Sequence, residues 1–144
     1  MSSYKNILVA IDIDADYASV IDKALTISES PEKLSLVYIP LTSVYIMPYL
    51  YGYGIGSADI DDIERLAKAR KRLDEIADEY GIKLENVFMK PGDAKEEIKQ
   101  IANENNVDLI VIGTHGRSGF KLLLGSTASA VLHGVQQDVL AVRI

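Results

Sequence analysis

Ile7-Leu8-Val9-Ala10-Ile11 is an unbroken apolar run that stops at Asp12. Leu109-Ile110-Val111-Ile112 repeats the pattern and meets Gly113. A strand with one wet face alternates apolar and polar residues, so short runs without alternation predict strands covered on both faces. Covered strands need helices between them, and the chain supplies the matching period. Tyr17, Val20, Ile21, Ala24, Leu25 and Ser28 recur at i, i+3, i+4, i+7, with Asp14 or Asp16 as the cap. Pro31 closes that helix, because proline cannot extend the hydrogen-bond ladder.

The rest of the chain continues the alternation. A second strand spans Leu34 to Ile39 and ends at Pro40, and a third runs from about Leu84 to Met89. Between them a long helix, roughly Asp59 to Tyr80, turns Ile60, Ile63, Ala67, Leu73, Ile76, Ala77 and Tyr80 inward, with Gly81 as its C-terminal cap. Asp93 and Glu96 form a capping-box pair before a helix bearing Ile98, Ile101 and Ala102. A short helix from about Ser126 to His133 precedes a last strand, Val139 to Ile144. Strands alternating with helices predict an α/β fold, an open parallel sheet with helices on both faces.

A chain of 144 residues fits one domain, 1–144, with no linker and no internal repeat. Leu41 to Ser57, rich in Tyr and Gly, is longer than most connections and reads as a loop that moves or meets a partner. Tyr45, Tyr49, Tyr51 and Tyr53 suit a loop folding over a ligand or a partner.

Composition excludes several classes of chemistry. The chain has no cysteine, which removes disulfides, thiolate metal sites and cysteine nucleophiles, and only two histidines. A net charge of −6 argues against nucleic-acid backbones and anionic membranes. No apolar run approaches the roughly 20 residues that insert across a bilayer. The start, Met1 to Asn6, lacks the features of a signal peptide, so a cytoplasmic protein is expected.

Open parallel sheets bind ligands at the carboxyl ends of strands, where the strand order reverses. Two strand exits stand out, Asp12 and Gly113. After Gly113 the chain reads GTHGRSGFKLLLGSTAS, with Gly113, Gly116 and Gly119 three apart and Gly125-Ser126-Thr127 opening the next helix. Glycines let backbone N–H groups approach an anion, and a helix start adds unpaired donors. Ser126 and Thr127 contribute hydroxyls, while His115, Arg117 and Lys121 supply positive charge nearby. The same glycines also suit ordinary turns, and Ser126 also suits a plain N-cap.

Known phosphate motifs mostly fail. No Lys precedes Ser126 as a Walker loop requires, and GTHGRSG lacks the G-x-G-x-x-G order. The string Gly52, Gly54, Gly56 lies beyond Pro48 rather than at a strand exit. Asp12, Asp14 and Asp16 resemble the D-x-D-x-T/V nucleophile motif of haloacid-dehalogenase-type phosphohydrolases, and Thr114 resembles that family's second motif. Asp16 stands where Thr or Val belongs, however, and Asp138 is the one acid after Thr114. The paired acids that would hold Mg²⁺ are missing. Helix capping therefore accounts better for Asp14 and Asp16. His133, near a helix end, reads as a solvated residue or one pairing with the helix dipole. Asp59, Asp61, Asp62 and Glu64 read as a solvated helix start, and Arg70, Lys71 and Arg72 as the polar face of that helix.

The GTHGRSGFKLLLGST segment resembles the phosphate signature of the universal stress protein family, G-x2-G-x9-G-S/T. Gly113, Gly116, Gly125 and Ser126 take its positions, with eight residues, Arg117 to Leu124, where the family has nine. KNILVAID, VYIP, NNVDLIVIGTHG and DVLAVRI extend the resemblance over nearly the whole chain. It implies five parallel strands in the order 3-2-1-4-5, a Rossmann-like arrangement of the adenine nucleotide alpha hydrolase-like type. It also implies ATP, with Mg²⁺, as ligand and no side-chain metal site. Carried over by position, Ala10, Ile11 and Asp12 line the adenine and ribose region, and Ile39 flanks the base. Ile112 and Gly113 approach the ribose and phosphates. Gly116, Gly125, Ser126 and Thr127 hold the triphosphate, and Arg117 is assigned as a further phosphate contact.

No nucleophile–base pair emerges, so the segment reads as a device for holding ATP in a stress-response or regulatory protein. A weak ATPase that switches on hydrolysis, and a dimeric interaction module without nucleotide, are the alternatives. The apolar strand Val139 to Ile144 forms a sheet edge, and edges seek pairing. Pairing with its copy in a homodimer is therefore expected, as the resemblance also implies.

Overall fold

The structure, a computed structural model, describes residues 4–40, 57–114 and 126–144. Strands β1 (Ile7–Ala10), β2 (Leu34–Tyr38), β3 (Val87–Met89), β4 (Leu109–Gly113) and β5 (Asp138–Val142) form one parallel sheet in the order β3-β2-β1-β4-β5. Helices α1 (Tyr17–Ser28), α2 (Ser57–Glu79), α3 (Ala94–Glu104) and α4 (Ser126–Gly134) make the connections. This is the expected fold class and strand order. The expected loop 41–57 lies outside the described residues, apart from Ser57, which begins α2.

Side chains alternate across β1, and the two faces bury different helices. Ile7 and Val9 join Leu34, Leu36, Leu109 and Val111 under α1 and α2, through Val20, Ile21, Ala24, Leu73, Ile76 and Ala77. Leu8 and Ala10 join Val37, Ile110 and Ile112 under α3 and α4, through Ile98, Ile101, Ala102, Ala128 and Val131. Each fully buried aliphatic side chain contributes roughly 1.5–3 kcal/mol, so this double core is the main source of stability.

The helix ends follow local chemistry. Asp16 caps α1 by accepting from the Ser19 amide, and Asp93 caps α3 by accepting from the Glu96 amide. Asp14 does not cap; its N–H donates to Asp12 Oδ1 at 2.9 Å. Gly81, with φ +74°, follows α2 in the left-handed conformation expected for its C-terminal cap.

Three expectations need correction. Ile63 is 63% exposed and Ala67 is also exposed, and among the described side chains of α2 the fully buried ones are Leu73, Ile76 and Ala77. A helix of 23 residues is about 35 Å long, roughly twice the length of the strands beneath it. Leu84–Asn86 is a 3-10 turn, and β3 begins at Val87. The last strand spans Asp138–Val142, and Ile144 leaves the ladder to pack on the core.

Candidate functional site

β1 lies between β2 and β4, and the chain runs from β1 outward to β3 on one side before crossing to β4 on the other. That reversal sends the helices that follow β1 and β4 to opposite faces of the sheet, the point where open α/β sheets bind ligands. Ala10 stands beside Ile112 in the ladder and beside Val37 on its other flank. The structure thus brings together Ala10, Ile11, Asp12, Ile39, Ile112 and Gly113 from three neighbouring strand exits. Ala10, Ile11 and Ile112 are buried, while Asp12, Ile39 and Gly113 are half-buried at the rim.

The β1 exit is a polar turn fastened by its own groups. Ile11 N–H extends the ladder to Val37 O at 3.0 Å. Asp12 then accepts twice, its carboxylate from Asp14 N–H and its carbonyl from Ala15 N–H at 3.0 Å. Asp16 takes both the amide and the hydroxyl of Ser19, the latter at 2.6 Å, and these bonds hold its carboxyl below the usual range. This rim carries carboxylates, which suit hydroxyl donors such as a ribose and repel phosphates.

The β4 exit is fastened differently. Thr114 N–H donates to Val142 O at 2.9 Å, and Thr114 Oγ1 accepts from Ile144 N–H at 3.2 Å. These bonds give Thr114 a structural role rather than that of a phosphohydrolase motif. A Cβ on Gly113 would lie 2.8 Å from Ile144 Cδ1 and 3.2 Å from Val20 Cγ2, so the missing side chain serves packing. His115, Gly116, Arg117, Lys121 and Gly125 lie outside the described residues. Ser126 and Thr127 form the first turn of α4, the position expected for an anion-facing helix start. His133 is exposed in the last turn of α4, as expected for a solvated residue.

At the opposite rim, Tyr4, Val107, Asp108, Gln136, Gln137 and Asp138 line a cavity of about 470 Å³. Its acids are engaged: Tyr4 OH donates to Asp138 Oδ2 at 2.8 Å, and Asp108 accepts the Lys5 and Asn6 amides. Among the described residues no group of three or more His, Asp or Glu side chains is placed to hold a metal ion. No helix among them is long and apolar enough to cross a membrane.

Sequence reasoning missed one tie to the β1 exit. Arg72, expected on the polar face of α2, donates to Tyr17 OH at 2.6 Å. Residues this far apart in sequence leave no local signal of such a bond.

The universal stress protein family model matches residues 3–143. Universal stress protein A homolog 2 of Coxiella burnetii is 40% identical, over 100% of this chain and 98% of that protein. Among solved structures, hypothetical protein MJ0577 superposes with a TM-score of 0.79 at 22% identity, covering 98% of this chain and 96% of that one. A universal stress protein in complex with cAMP gives 0.56 at 25% identity, covering 98% of both chains.

Proposed function

The chain belongs to the universal stress protein family, and on that footing we propose that it binds an adenine nucleotide, ATP with Mg²⁺, at the carboxyl ends of β1 and β4. The observation that carries this reading is the reversal of strand order between the neighbouring exits of β1 and β4. The β1 exit offers Asp12 to ribose hydroxyls, with Ala10, Ile11 and Ile39 as the apolar wall for a base. The β4 exit leads into the glycine-rich segment and then to the start of α4 at Ser126, where amides favour a polyphosphate. The related structure holding cAMP supports the adenine class of ligand.

In this reading Ile112 and Gly113 approach the sugar and phosphates. His115, Gly116, Arg117, Gly125, Ser126 and Thr127 surround the phosphate tail. Mg²⁺ would be held through the phosphates. Bound nucleotide stabilises whichever conformation or interface it fits, which gives a regulatory protein its signal. β5 stands at the edge of the sheet, with Val139 and Leu140 half-buried, and this edge would join two copies in a homodimer.

Titration calorimetry with Mg-ATP tests the site on wild type and Gly125→Val. Wild type should release heat with saturable binding, and the valine should abolish it by crowding the phosphates. Absence of heat from a nucleotide-free wild type, or equal affinity in the variant, contradicts the proposal. Phosphate release by the purified protein separates simple holding from slow hydrolysis.

A further inference from the structure

Resting on the nucleotide reading above, we infer that Arg72 is a positioning residue that holds the β1–α1 turn in its binding shape by acting through Tyr17. Tyr17 directly follows the cap Asp16, so it fixes the far end of the turn that begins at Asp12. Arg72 Nη2 donates to the Tyr17 hydroxyl at 2.6 Å, and the guanidinium carbon lies 5.7 Å from the ring centroid. One cation therefore grips both the polar tip and the face of the same ring.

Arg72 stands on a firm base. Its neighbour Leu73, with Ile76 and Ala77, is fully buried against the sheet. Glu75 Oε2 at 3.4 Å and Glu79 Oε1 at 3.8 Å take the guanidinium from its other side. Beside them, burial raises the Tyr80 phenol pKa, and the charges of Asp22, Glu79 and Asp16 add to that rise. Two carboxylates of α2 thus face the guanidinium, and its fork directs one arm to Tyr17 and another to these acids.

This arrangement spans two elements, α1 and α2, that pack on the same face of the sheet. The turn from Asp12 to Asp16 has internal bonds, and Ile13 and Tyr17 at its middle and end pack against the core. Arg72 adds a charged anchor from α2 at the end of that turn. Linkage then requires reciprocity: nucleotide that prefers the anchored turn also strengthens the Arg72–Tyr17 contact, so α2 registers occupancy of the site.

The test is a double-mutant cycle with Arg72→Met, Tyr17→Phe and the pair, reading nucleotide Kd by calorimetry with Mg-ATP and AMP beside thermal melting. Each single variant should weaken both nucleotides about tenfold, the scale of one charge-assisted hydrogen bond. The pair should weaken them no further than the worse single variant, and Arg72→Lys should recover part of the loss. A purely structural role would shift the melting temperature and leave Kd of the folded protein unchanged, which overturns the inference, as does additive behaviour. Hydrogen exchange at amides 13–17 without nucleotide gives a second readout, expected to quicken in both single variants, and unchanged exchange also overturns it. If wild type binds neither nucleotide, the binding reading fails and the positioning role fails with it. Quickened exchange would then show that the anchor itself exists.

Discussion

Gly113 and Ile144 pack so closely that a Cβ on the glycine would fall 2.8 Å from Ile144 Cδ1. The Ile144 methyl end can shift, but Val20 Cγ2 at 3.2 Å belongs to a buried, branched side chain that yields less. Gly113→Ala should therefore destabilise by about 1 kcal/mol and Gly113→Val by more, up to about 3 kcal/mol, through overpacking. Adding Ile144→Val, which removes the clashing atom, should recover part of the alanine loss in urea denaturation. An unchanged midpoint for Gly113→Val would refute this packing. Gly113 variants consequently make poor probes of phosphate binding.

The Asp16–Ser19 cap should show in acid. The Ser19 hydroxyl, then its amide, lowers the Asp16 pKa in the fold. A lowered pKa contributes stability that is complete above the ordinary carboxyl value and lost as pH falls through the lowered one. Asp16→Ala should thus melt below wild type at neutral pH, with the gap closing in acid. A gap that persists below the lowered value would assign the effect to something other than the charge.

Tyr4 predicts the opposite sign at high pH. Its hydroxyl donates to Asp138, and that bond raises the phenol pKa, with burial and the charges of Asp138 and Asp108 adding to it. The stability linked to a raised pKa is complete below the ordinary phenol value and lost as pH rises through the raised one. Ultraviolet titration should find Tyr4 and Tyr80 ionising late, with one late transition returning toward normal in Asp138→Asn. A tyrosine spectrum identical in the two proteins would show that the bond does not form in solution.

The edge strand gives a prediction about assembly. Ala141 is exposed on β5, and a lysine there would place charge and bulk on the edge. Light scattering should report a dimer for wild type and a monomer for Ala141→Lys, with the same circular dichroism. A wild-type monomer at micromolar concentration would remove the dimer proposal.

Unbroken apolar runs made β1 and β4 legible, because only strands buried on two faces can omit polar residues. Their neighbours followed from topology: a parallel sheet with short crossovers leaves few orders, and the resemblance selected one. Boundaries were less legible where apolar residues serve a second purpose. Leu84 sits in a turn, Ile144 plugs the space beside Gly113, and Ile63 lies on a helix that outruns its sheet. Asp12 and Gly113 were legible as strand exits, where open parallel sheets bind ligands, while Ala10 and Ile11 were assigned through the resemblance alone. Arg72 was not legible, because on α2 its sequence surroundings are those of any solvated helix face. What distinguishes it is Tyr17 across the seam, and only the packing of α1 against α2 reveals that.

The most direct measurement is amide chemical-shift mapping of the folded protein titrated with Mg-ATP. Saturable shifts should concentrate at residues 10–13, 37–40, 112–117 and 125–128, around the β1 and β4 exits. Shifts confined to Tyr4, Asp108 and Gln137 at the opposite rim, or none at millimolar nucleotide, would contradict the account.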